Sequence, residues 1–255
     1  MEGAPESGER RKDDPGPISH EPPMESYLHV MTFFLLMASL RWWWRDRTDW
    51  FAAGNLSIYY PAISPRTGRK TRKKLAFRGP DFFLVLGARP KKQRNSWVVE
   101  NEGKYPDLIV EILSKGTQKK DRGEKKAIYE KIFKTPEYIL FDPDKLSLEG
   151  FRLVRGRYAA IKPDARGHLW SERLGLAVGV HDEALRLFTS DGSLVPLPEE
   201  AALGAMVQGE REAARAEQLG QEKERLTRDK ARLAKENARL LAKLRALGVD
   251  PDAAD

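Results

Sequence analysis

The chain has 255 residues, with 45 Lys or Arg against 38 Asp or Glu, a formal net charge of +7 and a pI of about 9.4. That length allows one sizeable core with appendages, and the basic balance favours polyanionic partners. There is no cysteine, and the four His (His20, His29, His168, His181) show no paired spacing. This excludes disulfides, Cys-ligated zinc and a Cys nucleophile, argues against a His-rich zinc site, and fits a reducing cytoplasm.

Residues 1–23 are polar, charged and rich in Pro. They predict a disordered tail and contain no signal peptide. A helix is predicted from about Met24 to Trp44. Its apolar run, Ser26–Leu40, contains His29 and is followed by Arg41 and Arg45. A membrane span needs about 20 apolar residues, so a buried helix is expected, with Trp42–Trp44 packing on a sheet. Glu25 on this helix is a candidate accessory carboxylate.

Gly54 breaks the chain before Asn55–Tyr60, where Leu56, Ile58 and Tyr60 alternate as in a strand. Pro61–Lys74 reads as a turn-rich basic loop. Pro80–Leu86 and Asp107–Leu113 read as strands, joined by a polar connection. Their apolar runs are nearly continuous, as in strands buried on both faces. A loop and a Lys-rich helix to about Phe133 follow, with Ile128, Ile132 and Tyr129, Phe133 forming its apolar face. Thr135-Pro136 ends it, and Glu137–Phe141 is a fourth strand. Leu148–Val154, an Arg155-Gly156 turn, Arg157–Ile161, Leu176–Val180 and Ala184–Phe188 read as antiparallel hairpins extending the same domain.

After Pro198 the pattern changes. Leu219, Leu226, Leu233, Leu240 and Leu247 recur every seven residues. With leucines at d, the a positions include Lys223, Lys230, Asn237 and Leu244. This predicts a coiled-coil helix over 199–247, a short tail at 248–255, and a parallel homodimer whose register Asn237 sets. The globular domain is assigned to 24–192.

The chemistry concentrates between Pro80 and Tyr129. Asp81 opens one buried strand and Glu111 lies inside the next. Buried carboxylates are costly unless a cation or hydrogen bonds satisfy them, and Lys125 follows on the helix. The set suggests a metal site with a basic helper. Alternatively, Asp81 caps a turn, Glu111 pairs with Lys125, and Lys125 is a solvated lysine. Asp107 either starts its strand or supports the site. Between Ala62 and Arg94 eleven Lys or Arg accompany one acid, Asp81. Lys70, Arg72, Lys73, Lys74, Lys91 and Lys92 are thus candidates for binding a polyanion.

The order of elements, with Pro80-Asp81, Glu111 in PDLIVEILS and Lys125 in DRGEKKAIYEKI, resembles the restriction-endonuclease-like PD-(D/E)XK nucleases. PDLIVEILS, DRGEKKAIYEKI, TPEYILFDPD and LRALGVDPD together resemble the Uma-two family of bacterial endonucleases. The resemblance implies an α/β fold, a mixed sheet with flanking helices and a β-hairpin extension. It implies a Mg²⁺- or Mn²⁺-dependent endonuclease acting on nucleic-acid phosphodiesters, with DNA the expected substrate. Asp81 and Glu111 match the metal carboxylates, and the Ile112 carbonyl is the implied third ligand. Leu113 stands where the superfamily lysine is expected; Lys125, or the adjacent Lys126, matches the related family's helix lysine. The alternative is a non-catalytic nuclease-fold module that binds nucleic acid or a partner protein through the coiled coil.

Overall fold

The structure, a computed structural model, describes residues 15–20, 26–63, 70–89 and 93–247. Of Ile63 and residues 70–74 only the backbone is described. Glu25, Lys91 and Lys92 lie outside the described residues, as does the tail at 248–255. The chain divides into two compact units, Met1–Pro198 and Glu199–Asp255.

The first unit is built on a six-stranded mixed sheet. The strands are β1 (Trp50–Ala53), β4 (Phe82–Leu86), β6 (Leu108–Ile112), β7 (Glu137–Asp142), β8 (Ser147–Val154) and β9 (Arg157–Ala160). They lie in the order β1-β4-β6-β7-β8-β9. Only β6 and β7 are parallel neighbours. Between them runs helix α3 (118–133), so a helical crossover joins the parallel pair. Two three-stranded sheets complete the unit: β3 (Lys70–Arg78), β2 (Ile58–Ile63) and β5 (Trp97–Val98), and β10 (Leu169–Ser171), β11 (Leu176–His181) and β12 (Ala184–Phe188).

The central strands are buried on both faces, and their two-residue period sorts the side chains. Phe82, Leu84, Leu108, Val110, Ile112, Ile139 and Phe141 face one core, shared with helix α1 (Tyr27–Trp43) and the β10–β12 sheet. Phe83, Val85, Ile109, Tyr138 and Leu140 face the other, shared with Tyr129 and Phe133 of α3. α1 presents His29, Thr32, Leu36, Ser39 and Leu40 inward at near-helical spacing. Among the described residues no helix is long and apolar enough to cross a membrane.

Several expectations change. Residues 15–20, assigned to a disordered tail, lie against β2: the Tyr59 hydroxyl donates to the Ile18 carbonyl at 3.2 Å, and the Asn95 amide donates to the Pro15 carbonyl at 2.8 Å. Lys70–Lys74, expected in a loop, belong to β3, which pairs antiparallel with β2. Their charge density hid a strand whose continuation carries the buried Leu75. The polar connection before Tyr105 contains β5 and the short helix α2 (Val99–Glu102). Of the three tryptophans only Trp44 packs on the core, edge-on to Trp50 with ring centres 5.4 Å apart; Trp43 is exposed. The domain also continues past 192, because Val195 is fully buried and donates to the Leu187 carbonyl.

The second unit carries helix α4 (Pro198–Ala246), which starts at the last residue of the first unit and has 49 residues with no buried side chain.

Candidate functional site

The pleat brings the two predicted carboxylates together. β4 and β6 pair Phe82 with Val110 and Phe83 with Ile109. One further antiparallel step sets Asp81 opposite Glu111. Two hydrogen bonds tie the step: the Ile112 amide donates to Asp81 Oδ2 at 2.7 Å, and the Asp81 amide donates to Glu111 Oε2 at 3.2 Å. Gly54 sets the approach from the other side. A Cβ there would lie 2.6 Å from the Asp81 carbonyl oxygen and 2.5 Å from the Phe33 ring. Only a residue without a side chain fits.

Glu111 shares the odd-numbered face with Ile109 and Leu113, and therefore points at α3. It is fully buried. Its Oε1 accepts from the Tyr129 hydroxyl at 2.8 Å, and its Oε2 from Lys125 Nζ at 3.0 Å. Lys125 also reaches Asp121 Oδ1 at 2.8 Å. Asp121, Lys125 and Tyr129 are spaced by four residues along α3, which stacks them on one face. Within α3, π-helical turns (Asp121–Lys125 and Tyr129–Phe133) alternate with α-helical turns. Such turns are rare and recur at functional sites. Arg122 binds Glu149 of β8 at 2.7 Å and Glu124 binds Arg78 of β3, so α3 is held from two sides.

His29 of α1 closes the site. Its Nε2 lies 3.0 Å from the Ile112 carbonyl oxygen and 3.9 Å from Asp81 Oδ2, while its Nδ1 lies 2.8 Å from Ser26 Oγ. Nε2–H donating to the carbonyl, with Nδ1 accepting from the serine hydroxyl, satisfies both nitrogens.

The electrostatics follow from burial. Desolvation pushes the Asp81 carboxyl up to about 6, against the opposing Ile112 amide and Lys125. It pushes Glu111 up to about 8, with Lys125 opposing and Asp81 and Asp121 adding to the rise. Burial alone would lower Lys125, but Glu111 and Asp121 outweigh it and raise its pKa. One ammonium thus faces three carboxylates. The ammonium is held in its charged form, and the Glu111 carboxyl is pushed up.

Of the two candidate lysines, Lys125 points at Glu111. Lys126 lies with its Nζ 3.3 Å from the centre of the Phe151 ring, a cation–π contact away from the carboxylates. Asp107 does not join the site. It stands at the opposite end of β6, accepting from the Leu86 amide at 2.8 Å and from Lys104 at 3.1 Å. Sequence reasoning missed His29, Asp121 and Tyr129. The four-residue spacing of Asp121, Lys125 and Tyr129 is visible in the chain, whereas nothing local connects His29 to Ile112, 83 positions away.

The residues present fit a hard divalent cation. Two carboxylates and one carbonyl oxygen sit within a single register step, with Lys125 shared among three acids, and such ions take oxygen ligands and keep waters. Asp81 remains 22 % exposed and so opens the pair to solvent. Among the described residues no three acidic or imidazole side chains converge to hold an ion by themselves. The main-chain oxygen and water would therefore complete the set.

A model of the Uma2 family, described as "Putative restriction endonuclease", matches residues 5–187. A crystal structure of "a putative nuclease belonging to DUF820" from Anabaena variabilis is similar, with a TM-score of 0.43 and 16 % identity over 60 % of this chain and 76 % of that one. No curated protein matches the chain.

Proposed function

This chain belongs to the Uma2 (Uma-two) family, and from that premise we propose that it is a metal-dependent endonuclease hydrolysing nucleic-acid phosphodiesters, with DNA the expected substrate. The carrying observation is the cross-strand pair Asp81–Glu111 with Lys125 on Glu111 Oε2. Asp81, Glu111 and the Ile112 carbonyl would hold Mg²⁺ or Mn²⁺. When bound, the ion would supply a lowered water pKa and positive charge beside the scissile phosphate.

The chain's own residues do the rest. Asp81 and Glu111 are each tied by a main-chain hydrogen bond, which fixes how the two carboxyls face one another. Lys125, the charged group nearest Glu111, would orient the attacking water or meet charge developing on the phosphate. Asp121 and Tyr129 fix Lys125 and Glu111. His29 holds the Ile112 carbonyl in place. The basic residues Lys70, Arg72, Lys73 and Lys74, with Lys91 and Lys92, would contact phosphates.

A second reading is a non-catalytic module that binds nucleic acid or a partner protein. One observation favours it: Glu111 is wholly buried and both of its oxygens are already hydrogen-bonded. A panel of single- and double-stranded DNA and RNA, incubated with Mg²⁺ or Mn²⁺, separates the two. Cleavage should occur and should fall about a thousandfold in Asp81→Asn, several kcal/mol of transition-state stabilisation. Cleavage of no substrate, or equal cleavage by the variant, would leave the binding module.

A further inference from the structure

α4 is about 70 Å long at 1.5 Å per residue, and it buries none of its own side chains. In proteins a helix takes most of its stability from packing of an apolar face. That face exists here: Leu219, Leu226, Leu233, Leu240 and Leu247 form one stripe, and each is between 52 and 78 % exposed. Beside the stripe a shallow groove is lined by Leu219, Glu222, Lys223, Leu226, Thr227 and Lys230. In heptad terms these are d, g, a, d, e and a.

We propose that this face is covered by α4 of a second copy of the chain, parallel and in register. In a parallel pair, a side chain at a inserts between d, g, a and d of the facing helix. Lys223 would thus enter a hole made by Leu219, Glu222, Lys223 and Leu226 of the second copy, four of the six residues lining the groove. Lys230 would enter the next, made by Leu226, Asp229, Lys230 and Leu233. Each lysine at a, which would repel its own copy, meets an acid at g. An antiparallel pair sets g against g, bringing Glu222, Asp229 and Glu236 against one another, while Thr227 and Ala234 at e offer no counter-charge. Asn237 at a finds a matching Asn237 only in the parallel, unshifted register. A second copy supplies the complement to every one of these positions.

The chain contains no cysteine, so single introduced thiols report orientation without background. Full-length protein at micromolar concentration should sediment as a dimer. Leu219→Cys and Leu240→Cys, three heptads apart, should each oxidise to a covalent dimer. An antiparallel pair can cross-link at no more than one of the two. Leu226→Lys with Leu233→Lys should give monomer while the melting transition of the globular unit stays in place. Lys223→Glu with Lys230→Glu should weaken the dimer at least tenfold, and adding Glu222→Lys with Asp229→Lys should restore it. Monomeric wild type, a trimer, or cross-linking at one site alone overturns the proposal, as does a monomer that co-purifies with a different protein.

Discussion

Lys125 stands between two buried acids, and its removal would expose what each residue contributes. Lys125→Ala leaves Glu111 and Asp121 without a cation in a dry site, which should cost about 3–5 kcal/mol in urea unfolding. Lys126→Ala removes one cation–π interaction and should cost about 1 kcal/mol. Equal costs would mean that Lys125 does not carry the buried pair. The same site predicts a pH dependence. Asp81 moves from 3.8 to about 6 on folding, and Glu111 from 4.5 to about 8. Between those values these two groups bind more protons in the folded state than in the unfolded chain, so their contribution to stability falls as pH rises from about 4 to about 8 and then levels off. Lys125, whose pKa is raised, keeps its contribution throughout this window and loses it only at higher pH. Metal-free Asp81→Asn should therefore lose less stability over that range, and at pH 8 it should match or exceed the wild type by about 1–3 kcal/mol. Adding Mg²⁺ at pH 8 should raise the melting temperature of the wild type and leave the variant nearly unmoved. A variant strongly destabilised at every pH would instead mark Asp81 as a structural hydrogen-bond partner.

At the level of single elements, the site depends on two backbones and a ring that barely clear one another. The turn at Gly54 and the ring of Phe33 on α1 meet at the Asp81 carbonyl, where the chain enters β4. Gly54→Ala should shift the Asp81 main chain, costing about 1–3 kcal/mol by overpacking and reducing cleavage. Gly123→Ala on α3 meets nothing within 4 Å and should be neutral or stabilising by up to about 1 kcal/mol. Thermal melts of the pair check the difference. α3 shows how a helix can be read and yet incompletely understood. Its apolar face, Ile128, Tyr129, Ile132 and Phe133, is plain from spacing. Its polar line, Asp121–Lys125–Tyr129, has the same spacing but is hidden among many charged neighbours. β2 and β3 make the opposite case, because a run of lysines and arginines suggests a loop where the chain forms a hairpin.

For the molecule as a whole, the basic excess lies in the globular unit, and much of it is on β3. Neutralising Lys70, Arg72, Lys73 and Lys74 together should flatten the slope of log K against log salt on duplex DNA by about 0.9 for each phosphate no longer neutralised. An unchanged slope would remove this hairpin from the interface. The α/β class, the buried strands and the long terminal helix were all legible in the chain. Short-range hydrophobic periodicity encodes such elements, and it survives without knowledge of partners.

Asp81 and Glu111 could be picked out from the chain because each sits beside a local signal, a Pro-Asp turn and a carboxylate in an apolar run, whereas Lys125, one of several lysines on its helix, is singled out by the family resemblance. The meeting of the three could not be picked out. It depends on the antiparallel register of β4 against β6, and a slip of one residue would turn Glu111 away from α3. The choice of Lys125 over Lys126 likewise rests on which way α3 is rotated over the sheet. His29 belongs wholly to the tertiary level, since α1 reaches the Ile112 carbonyl only by packing across the sheet. Periodicity is a property of neighbours along the chain, whereas a site is a property of neighbours in space, and register and packing convert one into the other.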